Sequence, residues 1–209
     1  MPCPIFQSDS QGIIKAAQII LQGGVIAFPT ETFYGLAAEA GTEAALKKIF
    51  RAKGREEGKP LLLLVADHSW LQGLVQGVPP LAERLIKKFW PGPLTLVFEA
   101  SSQLSPLLTA NTGKIGIRVS SHPVAQALVR AVGRPITGTS ANLSGQPSTS
   151  TAEEVFQSLG TTLEAILDGG KTAGGLGSTV LDVSGSPPRI LREGVIPEEE
   201  LRVFSSSRG

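Results

Sequence analysis

Cysteine and histidine are nearly absent from this sequence. The chain of 209 residues has one cysteine, Cys3, and two histidines, His68 and His122. A single thiol cannot form an internal disulfide, so a disulfide-stabilised secreted scaffold is excluded. One cysteine and two widely separated histidines also lack the spacing of a zinc motif. We therefore expect neither a disulfide framework nor a metal site made of protein side chains.

Long apolar runs and an excess of one charge are lacking as well. The longest apolar run, LLLLVA at 61–66, is too short to cross a bilayer. The first residues show neither the basic nor the apolar part of a signal peptide. The formal net charge of +1 does not favour non-specific binding to nucleic acid. We expect a folded protein in the cytoplasm, without membrane contact.

Helical and strand-like patterns alternate along the chain, with no internal repeat and no linker long enough to divide it. Such mixing favours an α/β fold in which helices flank a twisted, mixed sheet. We predict a single domain over residues 1–209, with its core at about 11–203. Periodicity and turn residues predict helices at 11–22, 81–89, 151–159 and 197–203 and after Thr42 and His122, and strands at 25–28, 61–65, 94–98, 115–119, 135–139, 165–167, 180–183 and 189–191.

Polar side chains follow the first predicted strand in the segment FPTETFYGL at 28–36. Thr30, Glu31, Thr32 and Tyr34 come soon after Pro29. These residues fit an ordinary turn. They also fit the floor of a binding site, because ligand sites in α/β proteins are often built where strands end. The segment alone leaves both interpretations open.

Basic residues stand beside other strands. Arg118 lies in the apolar segment IGIRV, where its charge needs a partner if it is buried. An ion pair and a ligand carboxylate or phosphate are about equally favoured as that partner. Lys53 and Arg55, in KGREEGKPL, would project to the same side of an extended segment and could bind a polyphosphate there. A solvated loop is the simpler interpretation of that segment.

Nucleotide contacts are suggested by TSANLSG at 139–145, called the SAN segment below. Its hydroxyl and amide groups suit phosphates or a sugar, although the segment also fits an ordinary turn. GGKT at 169–172 fails as a P-loop, because Ala165 stands where the motif needs glycine. The chain also lacks the G-x-S-x-G segment of serine hydrolases. These features favour chemistry by positioning and charge stabilisation, as in reactions at phosphates.

Seven segments, taken in order, resemble the YrdC-like family of L-threonylcarbamoyladenylate synthases. They are FPTETFYGL, KGREEGKPL, WPGPLTLVF, IGIRVSSHP, PITGTSANLSG, GSTVLDV and ILREGVI. The resemblance implies a single α/β domain with a concave, positively charged cavity. It also implies an enzyme that joins L-threonine, bicarbonate or CO2, and ATP into threonylcarbamoyl-AMP and pyrophosphate. Other proteins would then use the product to modify an adenosine of tRNA.

The resemblance implies roles for residues at matching positions. Lys53 and Arg55 are expected to face the ATP phosphates and to act as the catalytic cations. Mg2+ is expected to arrive with those phosphates, since no carboxylate cluster stands out in the sequence. The residues expected to contact threonine are Thr30, Arg118 and Ser178. Those expected to contact the nucleotide are Lys53, Arg55, Ser140, Asn142, Ser148 and Arg192.

Some features are left open by the resemblance. The roles of Glu31, Tyr34 and Lys59 are undefined, and Phe33 and Ala37 depart from the usual valine and glycine. The chain resembles the short members and is expected to lack the second domain of longer ones. The main alternative is a non-catalytic RNA-binding protein that uses the same concave surface. A unit of the hydrogenase-maturation type, acting on another carbamoyl substrate, is a further alternative.

Overall fold

The computed structural model describes residues 3–54 and 58–206. None of the helices formed by these residues is long and apolar enough to cross a membrane. The helices are α1 (Ser10–Leu21), α2 (Glu43–Ala52), α3 (Pro80–Phe89), α4 (Pro106–Thr109), α5 (Pro123–Val132), α6 (Ala152–Leu159) and α7 (Glu198–Ser206), with a 3-10 helix at His68–Leu71.

The strands form two sheets. Their order is β1-β9-β2-β3-β8 in the five-stranded sheet and β11-β10-β5-β6-β4-β7 in the six-stranded sheet. Both sheets mix parallel and antiparallel pairs. The predicted α/β class with mixed pairing is confirmed, with the strands divided between two sheets. The strands are β1 (Ile5–Gln7), β2 (Ile26–Pro29), β3 (Tyr34–Ala37), β4 (Leu63–Leu64), β5 (Leu94–Glu99), β6 (Lys114–Arg118), β7 (Ile136–Thr137), β8 (Thr139–Ser140), β9 (Ala165–Asp168), β10 (Thr179–Asp182) and β11 (Arg189–Arg192).

The strand predicted at 135–139 is where the chain passes from one sheet to the other. β7 pairs with β4 in the six-stranded sheet, and β8 pairs with β3 in the five-stranded sheet. Gly138 lies between them, and a Cβ added there would come within 2.8 Å of Leu64 Cγ. Glycine therefore permits a close crossing that a larger residue would obstruct.

The segment after Pro29 forms a hairpin that the sequence does not predict. β2 and β3 pair antiparallel, with Pro29 opposite Tyr34. Thr30 closes the turn, because its N–H and its hydroxyl donate to the Phe33 carbonyl at 3.1 and 2.7 Å. The polar residues of FPTETFYGL thus form a tight turn between two buried strands.

The helix starts agree with the sequence in one case and differ in another. As predicted, His122 caps α5, where its Nδ1 accepts a hydrogen bond from the Val124 N–H at 3.2 Å. The sequence also favours threonine as a helix cap at Thr42; Thr42 is the N-cap residue of α2, but its hydroxyl donates to Glu39 and makes no capping hydrogen bond. One buried apolar cluster includes residues from Cys3 to Leu201. That the whole chain forms a single domain stays a prediction.

Candidate active site

A cavity of about 1030 Å³ is bounded by residues of both sheets. Small-molecule sites commonly occupy about 300–1,000 Å³, so the cavity can take a nucleotide together with a second small substrate. The residues predicted for the site and described by the structure all line this one cavity: Thr30, Lys53, Arg118, Ser140, Asn142, Ser148, Ser178 and Arg192. Arg55 lies outside the described residues. Lys59, whose role was left open, also lines the cavity.

Small residues on the central strands keep the floor of the cavity open. β6 presents Lys114, Gly116 and Arg118 to it, which are alternate residues on one face of the strand. A Cβ added at Gly116 would lie 3.3 Å from Thr95 Cγ2, so a side chain would begin to fill this space. Sequence reasoning missed Lys114, although the period-two alternation that includes Arg118 also marks it.

Arg118 is almost completely buried and pairs with a carboxylate. Its side chain is 3% exposed, and Nη1 donates to Glu31 Oε1 at 2.6 Å. The Nε atom is buried and has no hydrogen-bond partner among the described residues. Burial lowers the pKa of the guanidinium, Glu31 raises it, and the like charge of Arg192 lowers it further. The ion pair expected as one alternative from the sequence is therefore present, and binding of a ligand by Arg118 stays a prediction.

Ser178, which directly precedes β10, lies at the centre of a group of polar side chains. The Arg192 guanidinium donates to the Ser178 carbonyl through Nε at 3.2 Å and through Nη2 at 2.8 Å. Nη2 also lies 3.0 Å from the Ser178 hydroxyl, which is 2.9 Å from the hydroxyl of Thr95. Arg192 thus fixes the position of a residue predicted to contact threonine.

Lys53 holds the SAN segment against the end of α2. Its buried ammonium donates to the carbonyl of Ser140 and, at 2.8 Å, to that of Asn142. The Asn142 amide nitrogen donates to the carbonyls of Leu143 and Gln146 at 2.8 and 2.7 Å. The Oδ1 atom of Asn142 is buried, with no partner among the described residues. The segment is therefore fixed by its own contacts and contains one unsatisfied acceptor.

The phenol of Tyr34 connects the hairpin to the glycine-rich loop after β9. Its hydroxyl donates to the Gly170 carbonyl at 2.8 Å, lies 3.2 Å from Asp168 Oδ1 and accepts from the Gly169 N–H at 3.3 Å. Burial raises the pKa of Tyr34 to about 12. These contacts explain the only tyrosine of the chain as a structural group beside the cavity.

The charged side chains among the described lining residues are all cationic: Lys53, Lys59, Lys114, Arg118 and Arg192. Two of them pair with carboxylates that are not among the lining residues. Arg118 pairs with Glu31, and Lys114 pairs with Asp182 at 2.9 Å. Because these carboxylates offset part of the positive charge, the predicted basic character of the cavity stays a prediction.

That Mg2+ enters the cavity together with a nucleotide stays a prediction. Within residues 3–54 and 58–206, no three His, Cys, Asp or Glu side chains lie together in a way that could hold a metal ion. The lining offers hydroxyl groups and the Asn142 amide instead. Mg2+ usually binds one or two carboxylates together with substrate phosphates and waters, and the described lining contains no carboxylate, so phosphates and waters would supply most of its ligands.

The fold and the cavity define an α/β protein whose cleft between two mixed sheets can take a nucleotide and a second small substrate. The family model for the Sua5, YciO and YrdC proteins, described as telomere recombination, matches residues 18–194. The chain belongs to this Sua5/YciO/YrdC family. The resemblance seen in its seven segments is confirmed.

Curated relatives match most of this chain. The threonylcarbamoyl-AMP synthase of Pyrococcus abyssi is 43% identical over 186 residues, which are 89% of this chain and 55% of the relative. That of Bacillus subtilis is 45% identical over 190 residues, 90% of this chain and 55% of the relative. The putative threonylcarbamoyl-AMP synthase of Mycobacterium tuberculosis is 37% identical over 199 residues, 95% of this chain and 91% of the relative. The chain thus spans about half the length of the first two relatives.

Two solved structures share the fold. Pyrococcus abyssi Sua5 complexed with L-threonine has a TM-score of 0.92 and 40% identity, over 97% of this chain and 60% of that chain. Escherichia coli YciO has a TM-score of 0.85 and 31% identity, over 95% of this chain and 98% of that chain. These similarities confirm the predicted YrdC-like fold.

Proposed function

We propose that the chain is a threonylcarbamoyl-AMP synthase, which forms threonylcarbamoyl-AMP and pyrophosphate from L-threonine, bicarbonate or CO2, and ATP. The observation that carries the proposal is the shared cavity, which is lined by predicted site residues from Thr30 to Arg192. The relatives named as synthases and the Pyrococcus abyssi structure with L-threonine support it. A non-catalytic RNA-binding role is not favoured, because those relatives are named as enzymes.

L-Threonine is proposed to place its carboxylate on Arg118. A carboxylate there would supply the acceptor that the buried Nε lacks, and the planar guanidinium favours two parallel hydrogen bonds. Thr30 and Ser178 are the predicted further contacts. Preference for threonine over valine would rest on a hydrogen bond to the substrate hydroxyl, because a polar group left unpaired by valine is costly.

ATP is proposed to lie along Lys53, Arg192 and the SAN segment, with Arg55 as a further phosphate partner. Ser140, Asn142 and Ser148 would contact the nucleotide through hydroxyl and amide groups. Mg2+ carried by the phosphates would offset their negative charge, and Asn142 Oδ1 is the buried protein oxygen that would suit it as a ligand.

The proposed reaction needs positioned groups and charge stabilisation, with no covalent enzyme intermediate. The threonine amine adds to CO2 and releases a proton to solvent, which forms a carbamate. A carbamate oxygen then attacks the α-phosphorus of ATP, and the bond from that phosphorus to the pyrophosphate oxygen breaks. Lys53 and Arg55 would stabilise the negative charge on the phosphates and on the leaving pyrophosphate. The sequence shows no catalytic nucleophile paired with a general base, which agrees with this mechanism.

Threonine-dependent pyrophosphate release tests the proposal. The purified chain is incubated with ATP, Mg2+, radiolabelled bicarbonate and L-threonine, and both pyrophosphate and a labelled nucleotide product are measured. We expect both products together, and neither when threonine is omitted or replaced by L-valine. Pyrophosphate release that does not depend on threonine, or no release at all, would refute the proposal.

The steps after the reaction are also proposals. Threonylcarbamoyl-AMP is a mixed anhydride, so the proteins that receive it are expected to transfer the threonylcarbamoyl group to tRNA. Direct binding of RNA by this chain, and its place in the cytoplasm, stay predictions. Product formation in the presence of tRNA and candidate transfer proteins would measure the first of these steps.

A further inference from the structure

Both carboxylate oxygens of Glu31, next to the cavity, accept hydrogen bonds. It lies in the turn between β2 and β3, and its Oε1 accepts from Arg118 Nη1 at 2.6 Å. Its Oε2 accepts from the hydroxyl of Ser120, two residues beyond β6 in sequence. The two partners belong to the segment at the end of β6, so the carboxylate joins the hairpin of one sheet to a strand of the other.

Burial makes this carboxylate important for the conformation of Arg118. The Glu31 side chain is 13% exposed and that of Arg118 is 3% exposed. A buried guanidinium that lost its partner would be left as an uncompensated charge, free to turn towards another acceptor. The Nη1 atom of Arg118 donates to Glu31, and the buried Nε atom of Arg118 has no partner among the described residues. The ion pair with Glu31 therefore determines which donors of the Arg118 guanidinium are available for a ligand.

Glu31 acts through Arg118, without facing the cavity itself. Thr30 and Thr32, its neighbours in the turn, line the cavity, whereas Glu31 is not among the lining residues. This arrangement separates the negative charge of Glu31 from the place where a substrate carboxylate would bind. It also argues against Glu31 as a direct ligand of the substrate amine.

We propose that Glu31 is a positioning residue for threonine recognition, which holds the Arg118 guanidinium with its Nε side available to the substrate carboxylate. The inference rests on the proposed function, since it assigns the ligand of Arg118 as threonine. It adds a role for a residue that the family segments leave undefined, and it makes the Ser120 hydroxyl a second support of the same carboxylate.

Two substitutions at position 31 separate the hydrogen bond from the charge. Glu31→Ala removes the acceptor, and we expect the KM for threonine to rise about tenfold or more, as for loss of a charge-assisted hydrogen bond. The KM for ATP should change by less than about twofold, because an orientation effect at Arg118 is confined to threonine. Glu31→Gln keeps an oxygen acceptor for Nη1, so its threonine KM should return to within about threefold of the wild type.

The matched control is Glu39→Ala. Glu39 is also a largely buried carboxylate, and it pairs with Arg134 at 3.3 Å, but neither residue lines the cavity. The Glu39→Ala variant should leave the KM for threonine unchanged. If Glu31→Ala does not fold, Ser120→Ala provides the same test by removing the donor to Oε2. It should raise the threonine KM about two- to fivefold without a change for ATP.

The outcomes separate this inference from the proposed function. A wild-type protein without threonine-dependent pyrophosphate release defeats the proposed function. With an active wild type, the inference is overturned by an unchanged threonine KM in Glu31→Ala, by equal rises for threonine and ATP, or by a Glu31→Gln variant as impaired as Glu31→Ala. If Ser120→Ala carries the test, an unchanged threonine KM overturns it as well.

Discussion

Arg118→Lys separates the charge of Arg118 from its planar set of donors. Lysine keeps a cation near Glu31, which Arg118 contacts at 2.6 Å through Nη1, but it has no counterpart of the buried Nε. Because Arg118 is 3% exposed, water does not replace the lost donor. A hydrogen bond to a charged group contributes about 1.5–3 kcal/mol. Since about 1.4 kcal/mol is a factor of ten, the threonine KM should rise roughly 10- to 140-fold.

The assay for Arg118→Lys is pyrophosphate release, with each substrate varied while the other is saturating. The ATP KM should change by less than about threefold, because the lost contact is the one proposed for threonine. Lysine is preferred to alanine here because alanine would leave the Glu31 carboxylate largely buried without its cation. Arg134→Lys is the control, since Arg134 is 63% exposed and does not line the cavity. Equal rises for both substrates, or an unchanged threonine KM, would refute the assignment of Arg118.

Three further predictions test other contacts of the site. Lys53→Met removes the ammonium that donates to two carbonyls of the SAN segment. Amide hydrogen exchange in residues 139–145 should therefore become faster, and the KM for ATP should rise. An unchanged exchange rate would contradict this prediction. Arg192→Ala removes the donors to Ser178 and should raise the KM for both threonine and ATP. A rise in the KM for ATP alone would contradict the idea that Arg192 supports Ser178. Tyr34→Phe should lower the free energy of unfolding in urea by about 1 kcal/mol. Because burial raises the pKa of Tyr34 to about 12, the difference from wild type should be constant below the unfolded tyrosine pKa. Above that pKa each pH unit costs the wild type about 1.4 kcal/mol, so the difference should shrink and then change sign before about pH 12; a constant difference at high pH would contradict this.

The sequence predicts the elements of the fold well where periodicity is local. The apolar face of α2, with Leu46 and Ile49 buried, follows from the helical repeat. The strand β6 follows from an apolar segment that alternates with Gly116 and Arg118. The division into two sheets does not follow from such patterns, because the crossing at Gly138 depends on a side chain of β4 that is distant in sequence.

The candidate site shows the same limit more clearly. The resemblance to a family places Arg118, Lys53 and Ser178 in one site, and the structure brings them to one cavity. The sequence does not predict the partners of these side chains, since Glu31 and Arg118 are 87 residues apart in sequence. Lys53 is likewise separated by 87 residues from the Ser140 carbonyl that it contacts. No local pattern predicts such pairs, because they depend on how the two sheets meet.

The hairpin at 26–37 shows why the missed strand matters for threonine recognition. As an isolated polar turn, the segment offers Thr30 as a direct contact. In the structure the Thr30 hydroxyl donates to the Phe33 carbonyl and accepts from the N–H groups of Thr32 and Phe33 at 3.3 and 3.4 Å, so its hydrogen bonds are largely used within the turn. Because β3 returns along β2, the same turn also places Glu31 against Arg118 of the other sheet. The proposed threonine site would then depend on a buried ion pair that joins the two sheets. The proposed binding of a substrate carboxylate at Arg118 would depend on that junction, whereas the preference for threonine would rest on contacts to its side chain.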